Sequence, residues 1–277
     1  MNRRLTHSYA KGGRRRLAIS FAIDKRQKFV IAIALLSLGL FLGEFQFNRF
    51  GIAVACILAV FTNIFLWWAI HKDAVENKSF YIFILPFFYS LAFGLFYFLT
   101  PTVFTVHFLL AAIYAFGLYS LLLSQNILTV ASIRTIQLLS GARIVSFVIT
   151  LISFFFLSNI VFTLRFTIFP VIILLLLYTF PLIYHSLRTY SLQKGMQPTA
   201  IWASALTVCL LEAATLLWFW PSSPTVIALF LTGFFYTIVG LTHIWFERRL
   251  FKGVLWEYVW VGCIVFFVLN LFTQWGK

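Results

Sequence analysis

The chain has 277 residues, of which 62% are hydrophobic and only 10% charged. A soluble domain carries about 25% charged residues, so a soluble fold is excluded for want of polar surface and the bilayer is the expected solvent. The net charge of +14 does not indicate nucleic acid, because nine of the 21 basic residues fall in the first 28 positions and most others flank apolar runs, where they set topology and meet anionic headgroups.

A hydrocarbon core about 30 Å thick needs about 20 apolar residues per helix. Residues 1–28 read as a basic cytoplasmic tail, including Arg3, Arg4, Lys11, Arg14, Arg15, Arg16, Lys25, Arg26 and Lys28. The first apolar run starts at Phe29 and has no small-x-small cleavage site after Gly43, so a retained helix is expected rather than a signal peptide. Nine spans follow, roughly 29–45, 50–70, 80–99, 103–123, 144–163, 166–186, 200–220, 225–246 and 254–273. In lipid the backbone must satisfy its own hydrogen bonds, and these continuous runs are too long for barrel strands, so each span is predicted helical. The fold class is therefore an all-α polytopic transmembrane bundle.

With the N-terminus in the cytoplasm and the C-terminus outside, 18 of the 21 basic residues fall on the inner segments and only Arg49, Arg165 and Lys277 on the outer ones. Removing or merging one span would invert every later connection and destroy that asymmetry. Such a protein suits a bacterial-type cytoplasmic membrane. Asn77-Lys78-Ser79 matches a glycosylation acceptor but falls on the inner side. Trp67, Trp68, Trp202, Trp245 and Trp256 lie at predicted inner ends, and Trp218, Trp220 and Trp275 at outer ends, the headgroup depth that Trp prefers. The short outer turns, such as Leu99–Val103 and Leu164–Phe166, leave no room for an external domain.

Between spans four and five, residues 125–143 mix Ile, Leu and Val with Thr129, Ser132, Arg134, Thr135, Gln137 and Ser140. The pattern predicts an interfacial helix on the inner leaflet. Pro101-Thr102-Val103 with Gly117-Leu118 is echoed by Pro224-Thr225-Val226 with Gly240-Leu241 at the same offset. The echo suggests tandem halves over 29–123 and 144–246 plus a ninth helix, although Pro-Thr is common at helix starts and chance explains it as readily. Gly39 and Gly43 form a GxxxG in span one, and Asn63, Asn159 and Asn270 offer interhelical hydrogen bonds. Pro86, Pro170 and Pro181 interrupt spans three and six, where kinks shape cavities or are merely tolerated. Cys56, Cys209 and Cys263 form no CxxC and read as small buried apolar residues.

Glu212 is the most informative single residue. It lies in the apolar Leu211-Glu212-Ala213, about 18 Å from the inner face at 1.5 Å per residue. A carboxylate there is costly unless it is protonated, paired or facing a wet cavity. His107 falls at a broadly similar depth in span four, so a Glu212–His107 substrate or proton site is geometrically allowed; a neutral Glu212 bonding a neighbouring helix is the structural alternative. His71, His185 and His243, with Glu257, fall at inner ends, where polar residues at wet helix termini usually have no further role. No Walker loop, HExxH, GxSxG or dinucleotide loop is present, so no cofactor, metal or catalytic residue is expected, and an enzyme is disfavoured. Three functions remain: a carrier of an amphiphilic substrate, an assembly subunit of a membrane complex with protein partners, and a lipid-modifying enzyme using His185, His243, Glu247 or Glu257.

Overall fold

A computed structural model of the chain describes residues 25–47, 50–76, 79–100, 103–131, 138–191, 198–248 and 251–273. The tail over 1–24, Asn77-Lys78, Pro101-Thr102 and residues 132–137 of the expected interfacial segment lie outside the described residues. The elements are α1 (Lys25–Phe47), α2 (Gly51–Glu76), a 3-10 turn (Phe80–Phe83), α3 (Ile84–Leu99), α4 (Phe104–Ala131), α5 (Leu139–Thr163), α6 (Ile168–Ser191), α7 (Thr199–Trp218), α8 (Pro224–Glu247) and α9 (Lys252–Leu271). No strand occurs among the described residues, and nine helical stretches among them are long and apolar enough to cross a membrane. The all-α polytopic bundle is thus the observed architecture. At 16 residues, α3 alone spans only about 24 Å; the 3-10 turn, at about 2 Å per residue, extends it to membrane thickness.

The helices alternate in direction. One end of the bundle, here the basic end, holds the starts of the odd-numbered helices and the ends of the even ones. Lys25 at the start of α1 pairs with Asp73 near the end of α2, and Lys28 lies over the Trp68 ring, 4.6 Å from its centroid. Small residues set the closest approaches. A Cβ on Gly94 of α3 would lie 2.8 Å from the Ala55 Cβ of α2. Gly39 and Gly43 face Leu58 and Val54, so the GxxxG of α1 is used against α2. In α8, Gly233 and Gly240 receive Val265 and Tyr258 of α9. Helix α9 packs chiefly on α8 and buries only Leu269.

Helices α1 to α4 form one group: α1 touches α2 and α4, α2 touches α3 and α4, and α3 touches α4. The corresponding pairs recur among α5 to α8, and the groups meet through α3 and α4 on α5 and α3 on α6. Interhelical hydrogen bonds add to the packing. Thr62 Oγ1 lies 2.7 Å from Ser90 Oγ, which lies 3.0 Å from Tyr114 Oη, linking α2, α3 and α4. Ser158 Oγ and Tyr178 Oη join α5 to α6 at 2.9 Å. Asn159 donates to Thr225 of α8, whereas Asn270 donates to the Phe266 carbonyl of its own helix.

Three expectations are corrected. Residues 125–131 are no interfacial helix but continue α4, with Gln125 and Thr129 fully buried; Thr129 bonds the Gln125 carbonyl, which lets polar residues stay in the bundle. Pro86 and Pro170 occupy the third position of α3 and α6, where no intrahelical hydrogen bond is lost; of the three, Pro181 alone lies in a helix interior. Cys56 and Cys263 are exposed on the outside of the bundle rather than buried, because in a bilayer the exterior is as apolar as the core.

Candidate functional site

The six residues singled out from sequence go to different places. Glu212 is exposed on α7, six residues before its end at Trp218. His107 is buried on α4, its ring 4.4 Å from that of Tyr97. Helix α7 packs chiefly on α6 and α8, and α4 on α1, α3 and α5, so the fold does not bring Glu212 and His107 together. His71 is exposed, its ring 6.0 Å from Trp67, and Glu257 is exposed on α9. Of the three buried ones, His185 and His243 lie at the basic end, inside a polar cluster.

His185 is fully buried on α6. Its Nδ1 lies 2.9 Å from the Tyr81 carbonyl oxygen. A carbonyl only accepts, so Nδ1–H donates and Nε2 is left to accept from Ser146 Oγ at 3.2 Å. Gln125 Nε2 donates in turn to Ser146 Oγ at 3.3 Å. The chain of bonds joins the 3-10 turn and α4 of the first group to α5 and α6 of the second. It has loose ends: Gln125 Oε1 and Tyr81 Oη are buried without a hydrogen-bond partner among the described residues. A buried polar atom left so costs about 1–3 kcal/mol.

Beside this chain lies Arg143, in the second turn of α5 and only 8% exposed. Its Nε donates to the Thr189 carbonyl at 3.0 Å. Thr189 is among the last residues of α6, whose carbonyls have no partner further along the helix, so the guanidinium caps α6 at the negative end of its dipole. Nη1 reaches Glu247 Oε1 of α8 at 3.5 Å, a loose contact. The guanidinium carbon sits 5.1 Å over the Tyr190 ring, and Tyr190 stacks on His243 with centroids 3.8 Å apart. His243 Nε2 lies 3.1 Å from Ser186 Oγ, and Phe147 packs edge-on against the imidazole. Arg143 Nη2 is buried and has no partner among the described residues.

In the sequence Arg143 stands only as a charge in a connection and Gln125 as the start of the expected interfacial segment, and Tyr190, Ser186, Ser146 and Tyr81 do not stand out as site residues. A signal was available: Arg143, Ser146, Thr150 and Ser153 recur at three- and four-residue spacing, the period of one helix face, and all four are buried.

Spare donors on a guanidinium and a phenol suit an oxyanion. The two Ser–His contacts have the reach of a nucleophile and its base. All four residues sit within helices, however, where backbone N–H groups are spent on the preceding turn and none is free to stabilise an oxyanion. No group of three or more His, Cys, Asp or Glu suited to a metal occurs among the described residues. Two apolar grooves open on the bundle surface. One of 670 Å³ runs between α1 and α2 past Gly39 and Phe61. The other, of 810 Å³, is lined by α3, α4, α5 and α8, including Tyr89, Gly117 and Ile152, on the face of α5 opposite Arg143.

No curated protein and no solved structure matches the chain. A family model described as a protein of unknown function matches residues 28–272, a stretch that takes in nearly all of α1 and the whole of α2 to α9. The chain is a multi-pass helical membrane protein, and it belongs to the DUF5656 family.

Proposed function

We propose that the protein carries an anionic amphiphile across the bilayer, binding its headgroup at Arg143. The observation that carries this reading is the buried guanidinium of Arg143, whose Nη2 has no partner among the described residues. Ionisable groups held inside membrane bundles by default serve a pathway or a ligand. An incoming phosphate or carboxylate takes the free Nη2 donor and displaces the long contact to Glu247, whose side chain is 30% exposed and reaches water. The Tyr81 hydroxyl supplies a second donor. The basic end is where headgroups lie, and the charge asymmetry of the sequence assigns it to the cytoplasm.

The arrangement of helices also supports a carrier. Groups α1–α4 and α5–α8 repeat the same set of helix pairs, in keeping with tandem halves in parallel orientation over 29–123 and 144–246. Carriers built from repeats bind substrate where the repeats meet. The Tyr81–His185–Ser146–Gln125 chain crosses that junction.

The test is lipid translocation in proteoliposomes, with fluorescent phosphatidylglycerol and phosphatidylcholine as anionic and zwitterionic probes. The wild type should speed the anionic probe selectively, and Arg143→Gln should slow it by about tenfold or more, the loss of one charge-assisted hydrogen bond. An unchanged rate in a folded Arg143→Gln protein removes the reading.

A further inference from the structure

Glu212 poses a separate problem, independent of the carrier reading. Among the described residues it is the Asp, Glu, Lys or Arg side chain furthest from a helix end. Helix α7 is 20 residues long, about 30 Å, so Glu212 lies about 9 Å in from the Trp218 end and about 20 Å from the basic end. Its exposed position, with Val208 and Leu216 a turn away on the same face and also exposed, turns it towards acyl chains. Cα–Cβ bonds tilt towards a helix N-terminus. For α7 that is the basic end, so the side chain leans away from the nearer headgroup layer and deeper into hydrocarbon. No hydrogen bond or ion pair holds its carboxyl among the described residues; only its backbone carbonyl is engaged, by Thr215 Oγ1. Acyl chains offer no donor or acceptor, so an acidic group left to them is costly.

We infer that the exposed face of α7 is an interaction surface whose occupant is α7 of a second copy of this chain, with the two Glu212 carboxyls meeting on a twofold axis. The observations favour a second copy over other partners. A twofold contact places the same residue on both sides, and a carboxyl is self-complementary: with a proton held between the pair, one oxygen donates and the other accepts. No lipid-facing cation lies at this depth among the described residues, since the other charged side chains on the helices sit within five residues of a helix end, so a copy of the chain offers Glu212 rather than an ion-pair partner. One and two turns away on the same face, Val208, Ala205 and Ser204 are exposed, and the last two are small enough for close backbone approach. The carboxyl pair fixes the register and the small residues set the distance.

The experiment measures association of the full chain, labelled with one fluorophore, in liposomes of decreasing protein density, by photobleaching steps. Wild type is expected to show two steps that give way to one on dilution. Glu212→Leu is expected to weaken association about tenfold, the size of an interhelical hydrogen bond at the upper end of its range. Glu212→Gln should stay within about threefold of wild type, because two carboxamides also pair reciprocally. In a chain whose native cysteines are replaced, Val208→Cys should cross-link between copies on oxidation, and Leu210→Cys, which is buried, should not. The inference is overturned by a wild type that stays single-step at every density, by Glu212→Leu associating as well as wild type, by Glu212→Gln dissociating as Glu212→Leu does, or by cross-linking through Leu210→Cys but not Val208→Cys. Because Glu212 faces lipid, its replacement leaves the internal packing intact, and a shared unfolding midpoint checks this.

Discussion

Two glycine-to-alanine substitutions should shift stability in opposite directions. At Gly94, an added Cβ would lie 2.8 Å from the Ala55 Cβ and 3.0 Å from the Ala55 Cα. Carbon atoms settle at about 3.5–4.0 Å, so the contact is short by roughly 0.7–1 Å. One of the two blocking atoms is backbone, so relief requires α2 and α3 to separate along their contact rather than one side chain to turn. Overpacking of this kind costs about 1–3 kcal/mol. Replacing glycine within a helix returns up to about 1 kcal/mol; with a backbone atom in the way the overpacking cost falls in the upper half of its range, which leaves a net loss of about 1–2 kcal/mol. At Gly141, in the exposed first turn of α5, nothing lies within 4 Å of the added atom, and only the gain of up to about 1 kcal/mol applies. Adding Ala55→Gly to Gly94→Ala removes the obstructing methyl and should restore at least about 1 kcal/mol, a coupling measurable as a double-mutant cycle. Equilibrium unfolding in mixed micelles of dodecyl maltoside and sodium dodecyl sulfate, followed by tryptophan fluorescence, reads wild type, the three single variants and the double variant. The packing of α2 on α3 as described is refuted if Gly94→Ala matches wild type, if Gly141→Ala loses as much as Gly94→Ala, or if Ala55→Gly brings no recovery.

Further outcomes concern the polar cluster and the direction of the helices. Ser146→Ala and His185→Leu should be coupled by about 0.6–1.7 kcal/mol in the same unfolding measurement, since each removes the same 3.2 Å hydrogen bond; strictly additive losses would break the link drawn between α5 and α6. In a chain lacking its native cysteines, Leu138→Cys and Phe251→Cys should react with a charged maleimide from one side of sealed vesicles, and Arg165→Cys and Ser223→Cys from the other. Labelling of Leu138→Cys and Phe251→Cys from opposite sides would overturn the alternation.

The spans could be read from sequence because the free energy of placing a residue in hydrocarbon is a local sum over about 20 positions. The charge pattern, which is also local to each connection, fixed their number. The interfacial segment was misread for a related reason. Gln125 and Thr129 look amphipathic beside Ile and Leu, yet their polar groups find partners in the Ser146 hydroxyl and the preceding turn, and only one of those partners is near in sequence. The depth of Glu212 followed from counting residues. Its outward direction depends on which face of α7 is taken by α6 and α8, and no count along the chain contains that.

The candidate site marks the same boundary. His185 and His243 were visible as histidines at one end of the bundle, but so was His71, which is exposed. Arg143 was visible only as a charge beside a connection. Its role depends on Thr189, 46 positions away, and Glu247, 104 positions away. By itself the sequence determined the solvent, the number of spans and their alternating direction, since burial in lipid is decided residue by residue along each helix. Tertiary structure alone decided which polar groups meet, because that depends on the rotation of each helix about its axis, and the rotation is set by packing between helices distant in sequence.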